Sequence, residues 1–367
     1  MKRTLWSLAA LIFIGCTTDD GGTGETEKIS PADFIAIGED EGIVYQFSYD
    51  ADTGAGQTFN LTEELGIRPS YLTLRQQDGL LSFYSFSGGS FSLAQKNVLT
   101  GTTLNYNDFY TSDLERSVIW GINTESRVFF GYFGPQTSRN LAIFDLELDG
   151  TSAADITLDF NIDAVFQPIL FENKVFVAYR DSQGDNKLTY YNIDTKSVGP
   201  TLNFGGTAIS FLIADSGDIA VVKNGSQPTL ELYDSDALSF IESKALDFNS
   251  GFESGPIDGA VLAENRLFYR IAYPQPARIP YGPAIFDFGE QDNQIIDVFG
   301  LIEEIEREVG ASIALTTQIF DSEKNSFFIG YGVLGNEIKG GVLQVDTEGR
   351  LVANIEFPFF PTHILRN

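Results

Sequence analysis

The sequence predicts an all-β chain, a seven-bladed β-propeller of four-stranded blades closed by pairing of its N- and C-terminal strands. Three observations predict it. The chain holds 31 phenylalanines, 15 tyrosines and 36 glycines among 367 residues, a composition that suits many short strands joined by tight turns. A short apolar run ending in Asp or Asn recurs seven times. The first of these units is one strand short, while the end of the chain supplies one strand more than its own unit needs.

The recurring residues are Asp50, Asn97, Asp145, Asn192, Asp234, Asp287 and Asp346, spaced 47, 48, 47, 42, 53 and 59 residues apart. Most are followed by turn chemistry, as in Ala51-Asp52-Thr53-Gly54 and Thr347-Glu348-Gly349. There an Asp or Asn can bond its own backbone and glycine accepts positive φ. Each is read as a strand entering a hairpin. Upstream of most lies a second strand, such as Arg127–Tyr132, Lys174–Tyr179, Arg266–Tyr269 and Ser326–Tyr331. A third precedes it, for example Ser117–Ile122, Ala208–Ala214 and Gly259–Ala263. A fourth follows the recurring residue, as in Ile156–Phe160 and Val352–Phe357. Four strands repeated at this spacing make a propeller blade. The N-terminal unit, Phe34–Leu61, has three strands, and Thr362–Arg366 supplies the innermost fourth. Such closure removes an open sheet edge. A pair of β-sandwiches and an eight-bladed ring are the rival arrangements. One segment breaks the pattern. Leu301–Val309, in the longest interval, has apolar residues at helical spacing and a glycine just beyond its end, and reads as an amphipathic helix inserted between blades.

The N-terminus carries an address. Lys2 and Arg3 precede an apolar stretch, Leu5–Ile14, that is shorter than the about 20 residues a membrane-spanning helix needs. Phe13-Ile14-Gly15-Cys16 resembles the lipobox of bacterial lipoproteins, departing from it at Phe13, where leucine is usual. The resemblance implies cleavage before Cys16 and lipidation of that cysteine. It divides the chain into a signal peptide (1–15), a lipidated flexible linker (16–30) and the propeller (31–367). An ordinary secretory signal is the alternative, opposed by the absence of any second cysteine. The acidic, glycine-rich Thr17–Gly24 resembles the export signal of Bacteroidota surface lipoproteins. It implies an outer-membrane protein, lipid-anchored and facing the cell surface, with a periplasm-facing anchor as the alternative.

Composition excludes much chemistry. A net charge of −28 repels nucleic acid and disfavours electrostatic binding to it. His363 is the single histidine, Cys16 the single cysteine and Met1 the single methionine. Zinc, copper and haem sites therefore lack their usual ligands, no cofactor is expected, and His363 reads as structural. Asp50-Ala51-Asp52-Thr53-Gly54 starts like a calcium loop but lacks the later ligands, and reads as a hairpin turn. Paired acids for glycoside chemistry stay open in a chain with 51 of them.

Binding is the remaining role. The longer inter-strand loops carry Arg116, Arg139, Arg180, Tyr273, Arg278 and Tyr281. These are candidates to hold an anionic or aromatic small ligand on one propeller face by paired hydrogen bonds and stacking. Isolated surface arginines paired with the abundant acids would produce the same set. An anchored propeller resembles the surface lipoproteins that accompany TonB-dependent receptors. That resemblance implies ligand capture or docking to an outer-membrane receptor. A carbohydrate-active hydrolase or lyase using acidic residues, and an envelope scaffold, are the alternatives.

Overall fold

Seven sheets, antiparallel except for one short parallel pairing on the fifth blade, stand around a central channel in the computed structural model, which describes residues 29–366 apart from 68–71, 78, 136–137, 249–250, 275 and 336. The signal segment, Cys16 and the linker as far as residue 28 lie outside the described residues. Blade 1 is the composite one. Its innermost strand, Phe360–Arg366, pairs antiparallel with Phe34–Asp40, and Ile43–Asp50 and Ala55–Asn60 complete it. Blades 2 and 3 run in order from Thr73–Gln77 to Thr103–Thr111 and from Ser117–Asn123 to Ala153–Asp159. Blade 4 has both its inner strand (Ile162–Val165, Ile169–Phe171) and its outer strand (Ser197–Val198, Leu202–Asn203) split in two. Blades 5, 6 and 7 span Ala208–Ile213 to Phe240–Ala245, Val261–Ala263 to Asp292–Ile295, and Ser312–Asp321 to Leu351–Phe357.

The buried apolar residues fall into seven clusters, one at each junction between neighbouring blades. Both faces of every blade are therefore covered. That explains why the second strands read as continuous apolar runs and not as the alternation of a half-exposed sheet. Along Arg127–Phe133, Phe129 joins the cluster shared with blade 4, while Val128 and Phe130 join the one shared with blade 2. Along Lys174–Asp181, Val175 and Val177 face blade 3 and Phe176 and Ala178 face blade 5.

Six of the seven recurring acids and amides do the work expected of them. Asp50, Asn97, Asn192, Asp234, Asp287 and Asp346 each accept one or two backbone N–H groups two to four residues on, at 2.7–3.1 Å. Asp145 differs. Buried within its strand, it accepts two bonds from Arg127 Nη2 at 2.7 Å, one from Nε at 3.0 Å, and one from the Tyr191 hydroxyl of blade 4 at 2.6 Å. The turn of blade 3 is supplied instead by Asp149, which accepts from Thr151 N at 2.9 Å.

The inserted helix spans Phe299–Val309, ends at Gly310 with φ 69°, and buries Ile302 and Ile305 in the cluster between blades 6 and 7. A second, shorter helix, Leu61–Leu65, too brief to show a helical period in the sequence, buries Leu61 and Leu65 between blades 1 and 2 and is capped by Asn60 Oδ1.

Candidate functional site

The innermost strands define a cavity of about 510 Å³ on the ring axis. Two of these strands carry β-bulges there. Thr316 stands unpaired between Leu315 and Thr317, and Thr362 between Pro361 and His363. A bulge re-aims the side chains around it, and both threonines line the cavity.

Blade 6 departs further. Its inner strand is only Val261–Ala263, paired with Arg266–Phe268. The chain just before it is drawn to blade 5, where Gly255–Pro256 pairs in parallel with Ser210–Phe211. Ile257 N donates to Phe211 O at 2.9 Å and the Ser210 hydroxyl to Glu253 O at 2.6 Å, which fixes the displaced segment. Two glycines permit this path. Gly255 has φ +107°, and a Cβ there would lie 2.8 Å from Phe166 Cβ; Gly259 has φ +68°, and a Cβ would lie 2.2 Å from Gln318 O. Tyr269–Ala272 are thus left without an inner-strand neighbour, and Gln318 Nε2 of blade 7 donates to Tyr269 O at 3.2 Å in its place. The gap opens a side pocket of about 370 Å³, walled by Phe252, Glu253, Pro280 and Tyr281. Pro256, Ile257, Asp258 and Arg270 line both spaces and join them.

The ionisable residues of the axial cavity are Arg75, Asp258, Arg270 and His363. Arg75 Nε donates to Gly121 O at 3.0 Å and its Nη2 to Gln167 Oε1. Burial lowers its pKa, with Tyr84 and Asp258 opposing, and a guanidinium remains charged at neutral pH regardless. The Arg270 guanidinium lies 4.5 Å from the centroid of the Tyr281 ring. Among the described residues neither arginine has an acidic partner within 4.0 Å.

His363 sits on the innermost strand, as its sequence position implied. Thr362 Oγ1 donates to Ile37 O at 3.2 Å and lies 3.0 Å from His363 Nδ1. With the hydroxyl proton committed to Ile37, Nδ1 carries the ring proton and Nε2 is left as an acceptor. Burial pushes the His363 pKa below 6.5, Asp258 opposes it, and Arg75 adds a smaller push downward. The unfolded chain then takes up this proton at a higher pH than the folded one. Folding stability should fall as pH drops below about 6.5 and be unaffected by this group above it. His363→Gln should therefore melt with less loss between pH 7.5 and pH 5.5 than the parent protein. Equal losses in thermal melts would show that the ring bears its charge freely in the channel.

The residues singled out from sequence occupy different places. Arg139 and Arg180 converge on Asp163, at 3.9 Å and 2.6 Å. Arg116 binds Asp113 and Asp155, both at 2.6 Å, and lies over Phe144 at 4.4 Å; the Asp155 bonds raise its pKa. Arg278 reaches Glu306 of the inserted helix at 2.5 Å. Tyr273 is buried against that helix with its hydroxyl 3.4 Å from Ile296 O, and burial, with Asp297, pushes its pKa up to about 12. Tyr281 walls the side pocket and donates to Leu315 O at 2.9 Å. Sequence reasoning missed Arg75, Asp258, Arg270 and Gln318. Its one available signal was the 53-residue interval from Asp234 to Asp287, which contains the displaced segment.

No protein-family model matches the chain, and no curated protein matches it in sequence. Among solved structures, puromycin hydrolase is similar with a TM-score of 0.51 and 14% identity, over 90% of this chain and 55% of that one. A mutant of the same hydrolase gives 0.52 and 13%, over 88% and 53%. TolB from Acinetobacter baumannii gives 0.42 and 12%, over 89% and 80%. The chain spans about half the length of the hydrolase it matches. At these identities the likeness is one of the propeller fold, and function has to be argued from the site.

Proposed function

We propose that the protein is a lipid-anchored binding protein of the cell envelope, held at the outer membrane through Cys16, that captures a small anionic ligand at the mouth of its channel. One observation carries the ligand reading. In a chain of 51 acids and 23 bases, Arg116, Arg127, Arg139, Arg180, Arg266, Arg278 and Arg350 all find acidic partners. Among the described residues Arg75 and Arg270 find none and both line one cavity, while Arg307, which also finds none, is exposed on the inserted helix away from it. That cavity lies within the roughly 300–1,000 Å³ common for small-molecule sites. Guanidinium charges left without an acidic partner on an otherwise acidic body suit an anion, and the surrounding charge disfavours nucleic acid as that anion.

The address rests on the lipobox-like Phe13–Cys16 and the acidic run after it. In a Bacteroidota host, labelled palmitate should enter the parent protein and not Cys16→Ser, and protease added to intact cells should digest the parent. Label in the variant would remove the anchor from the proposal, and protection from protease would place the protein on the inner side of the membrane.

A further inference from the structure

The channel reading can be taken to a ligand class, because the cavity holds hydrogen-bond acceptors as well as arginines. Gln318 is 6% exposed and lines the cavity. Its Nε2 is committed to Tyr269 O, while its Oε1 is buried with no donor. A buried acceptor left unmatched is destabilising, and a turn of the Gln318 amide toward the cavity it lines would let a ligand supply the missing donor. The Thr316 hydroxyl, raised on its bulge at the same wall, is also buried without a partner. His363 adds Nε2 as a further acceptor, since Nδ1–H is engaged by Thr362. Opposite in character stands Arg270, exposed at the junction of channel and side pocket and free of acids.

A simple anion would satisfy Arg270 and leave Gln318 Oε1 unmatched. A neutral polyol would do the reverse. We propose that the ligand is a polyhydroxylated anion, a sugar acid or a sugar-type phosphate, whose anionic oxygens bind Arg270 while its hydroxyls donate to Gln318 and His363. This rests on the channel reading above and narrows it. The acid group is shared chemistry for carboxylate and phosphate, both of which fit a guanidinium fork.

Calorimetric titration of the full-length protein in detergent tests it with four probes: D-glucuronate, glycerol phosphate, D-glucose and hexanoate. Glucuronate or glycerol phosphate should bind at least about tenfold more tightly than glucose, which lacks the charge, and than hexanoate, which lacks the donors. Which of the two anions binds better identifies the acid group. Arg270→Ala should weaken the better anion about tenfold or more, the range expected for losing a charged hydrogen bond; being exposed, this position should leave the melting temperature unchanged. Gln318→Met should weaken glucuronate and leave hexanoate as it was. Hexanoate binding as tightly as glucuronate, and losing affinity in Arg270→Ala, would overturn the hydroxyl requirement while keeping the anion site. Failure of every anion to bind would overturn both.

Discussion

Deletion of residues 359–367 should abolish the monomeric fold. The segment holds the innermost strand of blade 1, whose partner is Phe34–Asp40 from the opposite end of the described chain. Phe359, Ile364 and Leu365 are buried at 0%, 3% and 1% exposure, the first two in the cluster between blades 7 and 1 and the third between blades 1 and 2. Burial of each large apolar side chain is worth about 1.5–3 kcal/mol, and a domain of this kind has about 5–15 kcal/mol in all. Losing three such side chains, together with a full strand pairing, removes a large part of that margin. The truncated chain also exposes Phe34–Asp40 as an apolar edge strand, which invites association. Size-exclusion chromatography should show aggregates or no soluble protein. A monomer with the parent's melting temperature would mean that the ring does not depend on its closing strand.

Asp145→Ala should be the most destabilising single substitution among the recurring positions, by about 3–5 kcal/mol, the range for breaking a buried ion pair. Asp145 is 1% exposed and binds Arg127 through both carboxylate oxygens, while its Oδ2 also takes the Tyr191 hydroxyl across the junction from blade 4. Removing it strands the Arg127 guanidinium, whose only other acid among the described residues is Glu147 at 3.9 Å, and leaves a buried phenol without its acceptor. Tyr191→Phe deletes one bond and no charge, and should cost about 1 kcal/mol. Asn192→Ala, which removes only turn bonds at an exposed hairpin, should stay near the same value. Urea midpoints at constant slope measure all three. A cost for Asp145→Ala no larger than that for Asn192→Ala would show that the carboxylate contributes a turn and nothing more.

The contrast between Asp145 and its six counterparts marks what the sequence could and could not reveal. Spacing and residue type located all seven recurring strands, and the local bonding of Asp50, Asn97, Asn192, Asp234, Asp287 and Asp346 is what an Asp or Asn before a turn does by itself. Ring closure was also legible, because a missing strand at one end and a surplus one at the other have a single economical solution. Asp145 looked the same as the rest; its partner Tyr191 is a residue of the next blade, and only tertiary structure brings it there. The candidate site was hidden for the same reason. Arg75, Asp258, Arg270, Gln318 and His363 come from positions spread over most of the chain, and the ring alone assembles them. Bulges at Thr316 and Thr362 break the two-residue period on which strand reading depends. The strand predicted at Gly259–Ala263 forms over Val261–Ala263 only, because the chain before it is drawn away at Gly255–Pro256 through a parallel pairing with blade 5 that no local pattern encodes. The arginines chosen as loop residues, Arg116, Arg139, Arg180 and Arg278, all bear acidic partners, and Arg180 in fact belongs to the strand Lys174–Asp181; Arg75 and Arg270 lie within strands, where loop-based reasoning does not look.

The central claim is that the ligand enters the ring axis and meets Arg270. A crystal structure of the protein soaked with D-glucuronate tests it most directly. The sugar acid should lie at the junction of channel and side pocket, its carboxylate on the Arg270 guanidinium and a hydroxyl on Gln318 Oε1. Glucuronate seated instead on Arg139 and Arg180 beside Asp163, with the channel unoccupied, would contradict it.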